Sequence, residues 1–362
     1  MVRHISTTKR ILVFRIGQLG DTIVALPAFW AVRKYFPTAH LTLLRDIHLG
    51  KEYVSPEMVL PREGLFDEYL FFKASIKGTR LRDIFPLFLQ LRKSKFDKLV
   101  YLAPSNRNRL QLWRDIVFFR LAGIREFIGI QGWVPLSKSF SEQLLSNEEH
   151  ESDYLLRRLA QSGIPVPSRG HGNMSLGFTK QEMQEANNWL EARLRPKRPE
   201  LLIGIGPGSK MPAKVWPEER FSQLGRRLID EFGALPIVFG SVEDKILGGR
   251  LVAEWRTGIN AAAELDVRLA AAMLSRCQLY IGNDTGTMHL AAAVNIPCVA
   301  IFSARDRPGR WYPYGQKHVI LRGTAPCEGC KLYICNNNLE CLLKISIDSV
   351  IQACQHIFYG KT

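Results

Sequence analysis

The segment Gly282-Asn283-Asp284-Thr285-Gly286-Thr287-Met288-His289-Leu290-Ala291-Ala292-Ala293 joins a short apolar run, 278–281, to an Ala-rich helical pattern. A strand, a tight polar turn and a helix start are expected there. Thr285, Gly286 and Thr287 would then present free backbone N–H groups at the positive end of the helix. Such an arrangement receives phosphate oxygens. An Asp-capped helix of an ordinary α/β domain explains the same residues without any ligand. His289, about one turn further on, either faces a ligand or sits as a satisfied histidine on the helix face.

Other loops carry residues of comparable interest. Gly17-Gln18-Leu19-Gly20-Asp21 follows 10–16, which reads as a buried strand. A dinucleotide site would also use an acid such as Asp46 at the end of the second strand. However, G-x-G-x-x-G is incomplete, and Asp21 would set a negative charge where the pyrophosphate should dock. The alternative is that Asp21 itself works, as a carboxylate on a Gly-flanked turn that accepts a proton from a substrate hydroxyl. Its simpler use is as a helix cap, worth ~1 kcal/mol. Gly204-x-Gly206-Pro207-Gly208-Ser209-Lys210 is a flexible turn after a strand and not a Walker loop. Lys214, just ahead of Trp216-Pro217, could neutralise a diphosphate, although a lone lysine is ordinarily solvated. Glu243 and Asp244 follow another strand end, where an acid binds ribose hydroxyls or caps a helix. Arg107 and Arg109, past the strand 97–102, suit an anionic acceptor.

Positioning these residues requires alternating strands and helices, hence mainly parallel sheets. Strands are expected at 10–16, 41–44, 97–102 and 126–128. Helices are expected at 21–36 (kinked or restarted at Pro27), 81–94 and 106–122. The pattern restarts after a helix at 180–194 and the link Arg195-Pro196-Lys197-Arg198-Pro199. Strands follow at 201–205, 235–239, 278–281 and 298–302, with a helix opening at Trp216-Pro217-Glu218-Glu219. This divides the chain into an N-terminal Rossmann-like domain, 1–175, and a second such domain, 176–345, with a hinge near 176–198. A terminal helix within 346–362, capped by Ser346, has the option of packing back on the first domain.

The 362 residues hold 49 Lys and Arg against 34 Asp and Glu, a net charge of +15. Residues 1–175 carry 26 against 16, or +10, and residues 176–362 carry 23 against 18, or +5. Such a field suits nucleic acid, anionic lipid or an acidic substrate. No zinc-finger spacing, RNA-binding aromatic motif or basic zipper supports nucleic acid as a partner. The pattern 81–96 mixes Phe85, Leu87, Phe88, Leu89 and Leu91 with Arg82, Arg92, Lys93 and Lys95. It reads as an amphipathic membrane-facing helix or as a core-facing helix with a basic solvent face. No apolar run approaches the ~20 residues that cross a bilayer, and 11–14 is too short for a signal-peptide core. A cytoplasmic protein is therefore expected, peripheral at the inner face of the cytoplasmic membrane. Among seven cysteines, Cys277, Cys298 and Cys354 read as buried apolar residues. Cys327, Cys330, Cys335 and Cys341 form a cluster that could hold structural zinc, though it matches no common zinc spacing closely. A reduced thiol cluster or a redox-formed disulfide is the other option.

Taken together, 11–27, the Gly206-Pro207-Gly208-Ser209…Lys214-x-Trp216-Pro217 segment and 282–290 resemble glycosyltransferase family 9, the lipopolysaccharide heptosyltransferases. The resemblance spans nearly the whole chain, with the motifs in order, and the Cys-rich stretch is similar to one seen in some members. It implies an α/β GT-B fold: two Rossmann-like domains with mainly parallel sheets facing across a cleft. The second domain would bind a nucleotide sugar, with ADP-heptose the leading donor, and the first an anionic glycolipid acceptor. No cofactor or catalytic metal would be needed. By resemblance Asp21 is the catalytic base, Lys214 touches the donor phosphates, and Asp284, Thr285, Gly286 and His289 form the D-T-G-x-x-H segment. Gly20 would lie on the acceptor side. Many relatives carry an acid and a glycine where this chain has Ala103-Pro104-Ser105-Asn106-Arg107, so the family's acceptor does not carry over directly. An epimerase of the same fold, or a non-catalytic nucleotide- or lipid-binding scaffold, is the rival reading; a dinucleotide oxidoreductase is more distant.

Overall fold

Nearly uninterrupted apolar strands need both faces covered, and helices on either side of a parallel sheet supply that cover. A computed structural model of the chain describes residues 9–48, 53–74, 81–104, 107–133, 148–194 and 200–360. They fall into two units. The first comprises the described parts of Met1–Ser139 and Glu151–Gly177; the second comprises those of Phe140–His150 and Phe178–Thr362. The link 195–199, expected from its prolines, lies outside the described residues, as does the Ser105-Asn106 part of the altered loop.

In the first unit the elements run β1 (Arg10–Phe14), α1 (Leu19–Ile23), α2 (Leu26–Tyr35), β2 (His40–His48), β3 (Glu68–Ala74), α3 (Leu81–Ser94), β4 (Lys98–Tyr101), α4 (Arg109–Leu121), β5 (Glu126–Ile128) and α5 (Glu151–Ala160). The five strands are all parallel, in the order β3-β2-β1-β4-β5. Ile11, Leu12 and Val13 of the central strand are wholly buried. The expected helix 21–36 is two helices. Pro27 stands at the second position of α2, where it has no helical N–H to forfeit, so the helix restarts there. On one face of the sheet, Leu87 and Leu91 of α3 and Leu112 and Phe119 of α4 pack over Leu12, Phe14, Leu99 and Tyr101. Strand β3 and helix α5 were not anticipated.

The second unit contains α6 (Lys180–Glu191), β6 (Leu201–Gly206), α7 (Glu218–Phe232), β7 (Ala234–Val238), α8 (Lys245–Trp255), β8 (Ile259–Asn260), α9 (Val267–Leu274), β9 (Leu279–Asn283), α10 (Gly286–Ala293), β10 (Cys298–Phe302), β11 (Val319–Arg322), α11 (Glu340–Leu343) and α12 (Ile347–Tyr359). Its parallel sheet has the order β11-β10-β9-β6-β7-β8. Ser346 caps α12 by accepting from the Ser349 amide at 3.1 Å. The sequence left α12 the option of packing on the N-terminal domain. Within the second unit, Val350, Ile351 and Cys354 of the α12 apolar face join Trp216, Phe221 and Val299 in one core.

Both sheets have a switch point, where successive connections leave in opposite directions. It lies between β1 and β4 in the first unit and between β6 and β9 in the second. Ligands of open α/β sheets bind beyond the strand ends at such points. No helix among the described residues is long and apolar enough to cross a membrane.

Candidate active-site residues in the two units

Asp21 lies at the switch point of the first unit, just beyond β1. It is the third residue of α1 rather than its cap: the Gln18 amide donates to its Oδ2 at 2.9 Å. Gly17 makes this approach feasible. Its φ is +129°, and a Cβ there would fall 2.4 Å from Asp21 Cγ. The turn is held from outside by Asp46, whose Oδ1 accepts the Gly17 amide at 3.0 Å, and by the Tyr53 hydroxyl, which donates to the Gly17 carbonyl at 2.6 Å. Asp46 therefore braces the loop, which is not the place a ribose-binding acid would take.

A buried arginine stands behind Asp21. Arg15 donates from Nε to the Asp21 carbonyl at 3.1 Å and from Nη1 to the Leu102 carbonyl at 2.9 Å and to Glu151 at 3.2 Å. Its Nη2 lies 3.7 Å from Asp21 Oδ1, a longer ion pair. Burial raises the Asp21 pKa above the ordinary aspartate value; Arg15 and the Gln18 amide pull it back, while Glu151 and Asp46 push it further up. About a quarter of the side chain, 27%, remains accessible. The result is a reachable carboxylate with enhanced proton affinity, fixed at a strand end.

The two arginines proposed for the acceptor separate. Arg107 is buried, 3.3 Å from Asp115 and over the Phe14 ring. Arg109 is exposed at the first turn of α4. Gly20 is half-buried within α1.

In the second unit, the 206–209 turn, Lys214 and the start of α10 converge on the ends of β6, β9 and β10. Gly206 pairs with Gly282 across the β6–β9 ladder. A side chain at Gly206 would strike the Tyr280 hydroxyl, which is itself bonded to Thr287 Oγ1 at 2.8 Å. Ser209 Oγ accepts the Met211 amide at 3.3 Å, which tightens the turn. Asn283, wholly buried, donates to the Pro207 carbonyl at 2.7 Å and accepts the Trp216 amide at 3.1 Å. It thus ties both ends of the segment that carries Lys214.

Lys214 Nζ lies 2.5 Å from Asp284 Oδ2 and 3.3 Å from Asp306 Oδ2, and Arg305 pairs with Asp306 in turn. Burial works against the ammonium, but the two carboxylates outweigh it and raise the Lys214 pKa. The lysine therefore stays charged. Thr285 is the N-cap residue of α10, so the first amides of that helix begin beside this pair. His289 is buried; burial, then His150 and Lys214, pushes its pKa down to about 3, so it is neutral near pH 7. The acids after β7 divide the work. Asp244 accepts the Ser241 amide at 2.7 Å and lies against Gly208. Glu243 is exposed, and no hydrogen bond or ion pair engages it among the described residues.

Sequence reasoning missed Arg15, Asn283 and Asp306. Asp306 had a usable signal, an acid soon after a strand end, the same signal that singled out Glu243. Asn283 had none, because Pro207 and Trp216 are distant in sequence. Arg15 had none because, although Asp21 is only six residues away, Leu102 and Glu151, which hold its guanidinium, are 87 and 136 residues away. Cys327, Cys330, Cys335 and Cys341 are free thiols. Cys335 Sγ accepts the Asn337 and Leu339 amides at 3.4 Å each. Among the described residues no group of three or more His, Cys, Asp or Glu is arranged to hold a metal ion. Cys277, Cys298 and Cys354 are buried.

Two Rossmann-like units in one chain, each with its polar residues at the sheet switch point, define the GT-B class of fold. The chain belongs to glycosyltransferase family 9 (heptosyltransferase), whose family model matches residues 159–339. It is 36% identical over 135 residues to lipopolysaccharide heptosyltransferase 2 of Escherichia coli K12, a stretch covering 36% of this chain and 38% of that protein. The alignment thus spans well under half of that relative's length. In fold the chain is similar to the glycosyl transferase family 9 protein of Veillonella parvula, with a TM-score of 0.72, 22% identity and 98% of each chain covered. It is also similar to the ADP-heptose lps heptosyltransferase II of E. coli, with a TM-score of 0.65, 20% identity and coverage of 96% of this chain and 98% of that one.

Proposed function

We propose that this protein is an inverting, metal-independent glycosyltransferase. It would move a sugar, with heptose from ADP-heptose the leading candidate, to a lipopolysaccharide or related surface-glycan acceptor at the cytoplasmic face of the membrane. Asp21 takes the proton of an acceptor hydroxyl as that oxygen attacks the anomeric carbon. The bond from that carbon to the nucleotide diphosphate breaks on the opposite face, so the configuration inverts. The departing diphosphate takes the bonding electrons, and Lys214 with the first amides of α10 stabilises its charge. The observation that carries this reading is the setting of Asp21: accessible, raised in pKa and locked to a glycine turn at a strand end. Lys214, kept charged by its neighbours, supports the donor side without a metal ion. Glu243, exposed while Asp244 serves as a cap, is the better ribose-binding acid.

The test is Asp21→Ala, with nucleotide-sugar binding and sugar transfer measured separately. Binding should persist while transfer falls ~10²–10⁴-fold, the usual worth of a positioned base. Near-normal transfer would remove Asp21 from the chemistry. Donor conversion by the wild-type protein without acceptor would point to an epimerase, and donor binding without turnover to a scaffold.

A further inference from the structure

Helices that cover a sheet ordinarily turn apolar residues inward and polar residues outward. Helix α7 does so: its exposed positions, Glu219, Gln223, Arg226, Asp230 and Glu231, are all polar. Helix α4 does not. Leu112 and Phe119 face the core, yet Leu110, Trp113, Val117 and Leu121 are 81, 66, 41 and 64% exposed. Their spacing of three, four and four residues aligns them along one outer face. The neighbouring α3 exposes Phe85 and Leu89 as well. The Phe88 and Phe118 rings, 6.1 Å apart, join the two helices, so the apolar strip is continuous from one to the other.

The exposed charged groups flanking the strip are basic: Arg92 and Lys93 on α3 and Arg109, Arg114 and Arg120 on α4, while Asp115, the acid of α4, is buried. The guanidinium of the exposed Arg92 lies over the Phe88 ring, 5.8 Å from its centre. A broad apolar strip with a basic rim, in the half of the chain that carries +10, complements an anionic, apolar-centred surface. A second copy of the chain would bring the same basic rim against itself.

We propose that the α3–α4 face of the first unit docks on an anionic lipid bilayer. The tryptophan and leucines enter the interfacial region, and the arginines reach the headgroup phosphates. This rests on the membrane-surface part of the proposed function and adds to it the surface and the lipid charge.

The experiment is co-sedimentation of the full chain with vesicles of phosphatidylcholine, alone or with about one third phosphatidylglycerol. The wild-type protein should pellet with the anionic vesicles and stay in solution with the neutral ones. Leu110→Glu with Trp113→Glu, both at largely exposed positions and checked for folding by circular dichroism, should abolish pelleting. Arg120→Glu alone should weaken it about fivefold or more, the worth of one basic residue at such a surface. Transfer to a lipid-free acceptor by the double variant should be unchanged. Wild-type pelleting that the double variant retains would overturn the α3–α4 assignment and leave the membrane reading standing. No pelleting of the wild type would overturn both. A wild-type dimer that the double variant dissolves, with pelleting unaffected, would assign the face to a second copy and also overturn the proposal.

Discussion

Lys214 is the shared partner of Asp284 and Asp306, at 2.5 and 3.3 Å, so one buried cation answers two carboxylates. The arrangement holds a charged lysine in position before any anion arrives. It also means that an arriving diphosphate competes with two acids for the same ammonium. Asp306→Asn should therefore strengthen ADP binding several-fold, because it removes one competitor. Lys214→Ala should weaken it by about tenfold or more and also destabilise the fold, since a buried charge left without its partner costs about 3–5 kcal/mol. Calorimetric titration with ADP and thermal unfolding read the two effects; unchanged ADP affinity in Lys214→Ala would remove the lysine from the donor site.

Gly17→Ala should cripple transfer while leaving ADP affinity intact. The backbone there has φ +129°, and the added methyl would meet Asp21 Cγ at 2.4 Å. A non-glycine residue in such a conformation costs roughly 1–3 kcal/mol, and relief comes by moving Asp21. Steady-state kinetics with parallel ADP binding separates the outcomes; a normal kcat would show that the placement of Asp21 does not matter.

The pH profile carries a sign. A base must be deprotonated to act, and the Asp21 pKa is raised above that of an ordinary aspartate. Transfer should fall as pH drops through that raised value. Glu151→Gln removes a carboxylate that pushes the Asp21 pKa up, so the acid limb of kcat/KM should move to lower pH. An upward shift would contradict the described electrostatics.

Two adjacent acids should behave differently. Asp244→Ala deletes the carboxylate that accepts the Ser241 amide and should cost about 1 kcal/mol of stability. Glu243→Ala should leave unfolding unchanged and lower ADP affinity. If Glu243→Ala binds ADP normally, the ribose-binding assignment fails.

Stability in acid has a buried contributor in Glu182, whose carboxylate meets Arg268 at 2.6 and 2.9 Å and ties α6 to α9. Hydrogen bonds from Arg268 outweigh burial and bring its pKa from 4.5 to about 2. A depressed native pKa gives stability that is fully present above the unfolded value and is lost as pH falls between 4.5 and about 2. The shift corresponds to roughly 3 kcal/mol. Glu182→Gln should lower denaturant stability at neutral pH and flatten this part of the pH dependence.

The sheets were legible because apolar runs such as 11–14 and 298–302 need no distant information to read as buried strands. Edge strand β3 was not, because Glu68-Tyr69-Leu70-Phe71-Phe72-Lys73-Ala74 has polar ends and a half-exposed face. Asp21 stood out through its glycines, and Lys214 through its place before Trp216-Pro217. Arg107 was singled out as a basic residue at a strand end, but its burial and its pairing with Asp115, eight positions on, were not legible there.

By itself the sequence determined that two parallel α/β domains would form and that turns after their first strands would carry an acid and, in the second, a lysine. Local periodicity and turn chemistry act over a few residues, so they can be read in order along the chain. Only the tertiary structure decided the partners. It set Arg15 and Asp46 around the Gly17 turn, paired Lys214 with Asp284 and Asp306, and turned Leu110 and Trp113 of an apolar helix outward. Those outcomes depend on which strand ends and helix faces meet, and Coulomb and desolvation energies depend on distance in space rather than on separation along the chain.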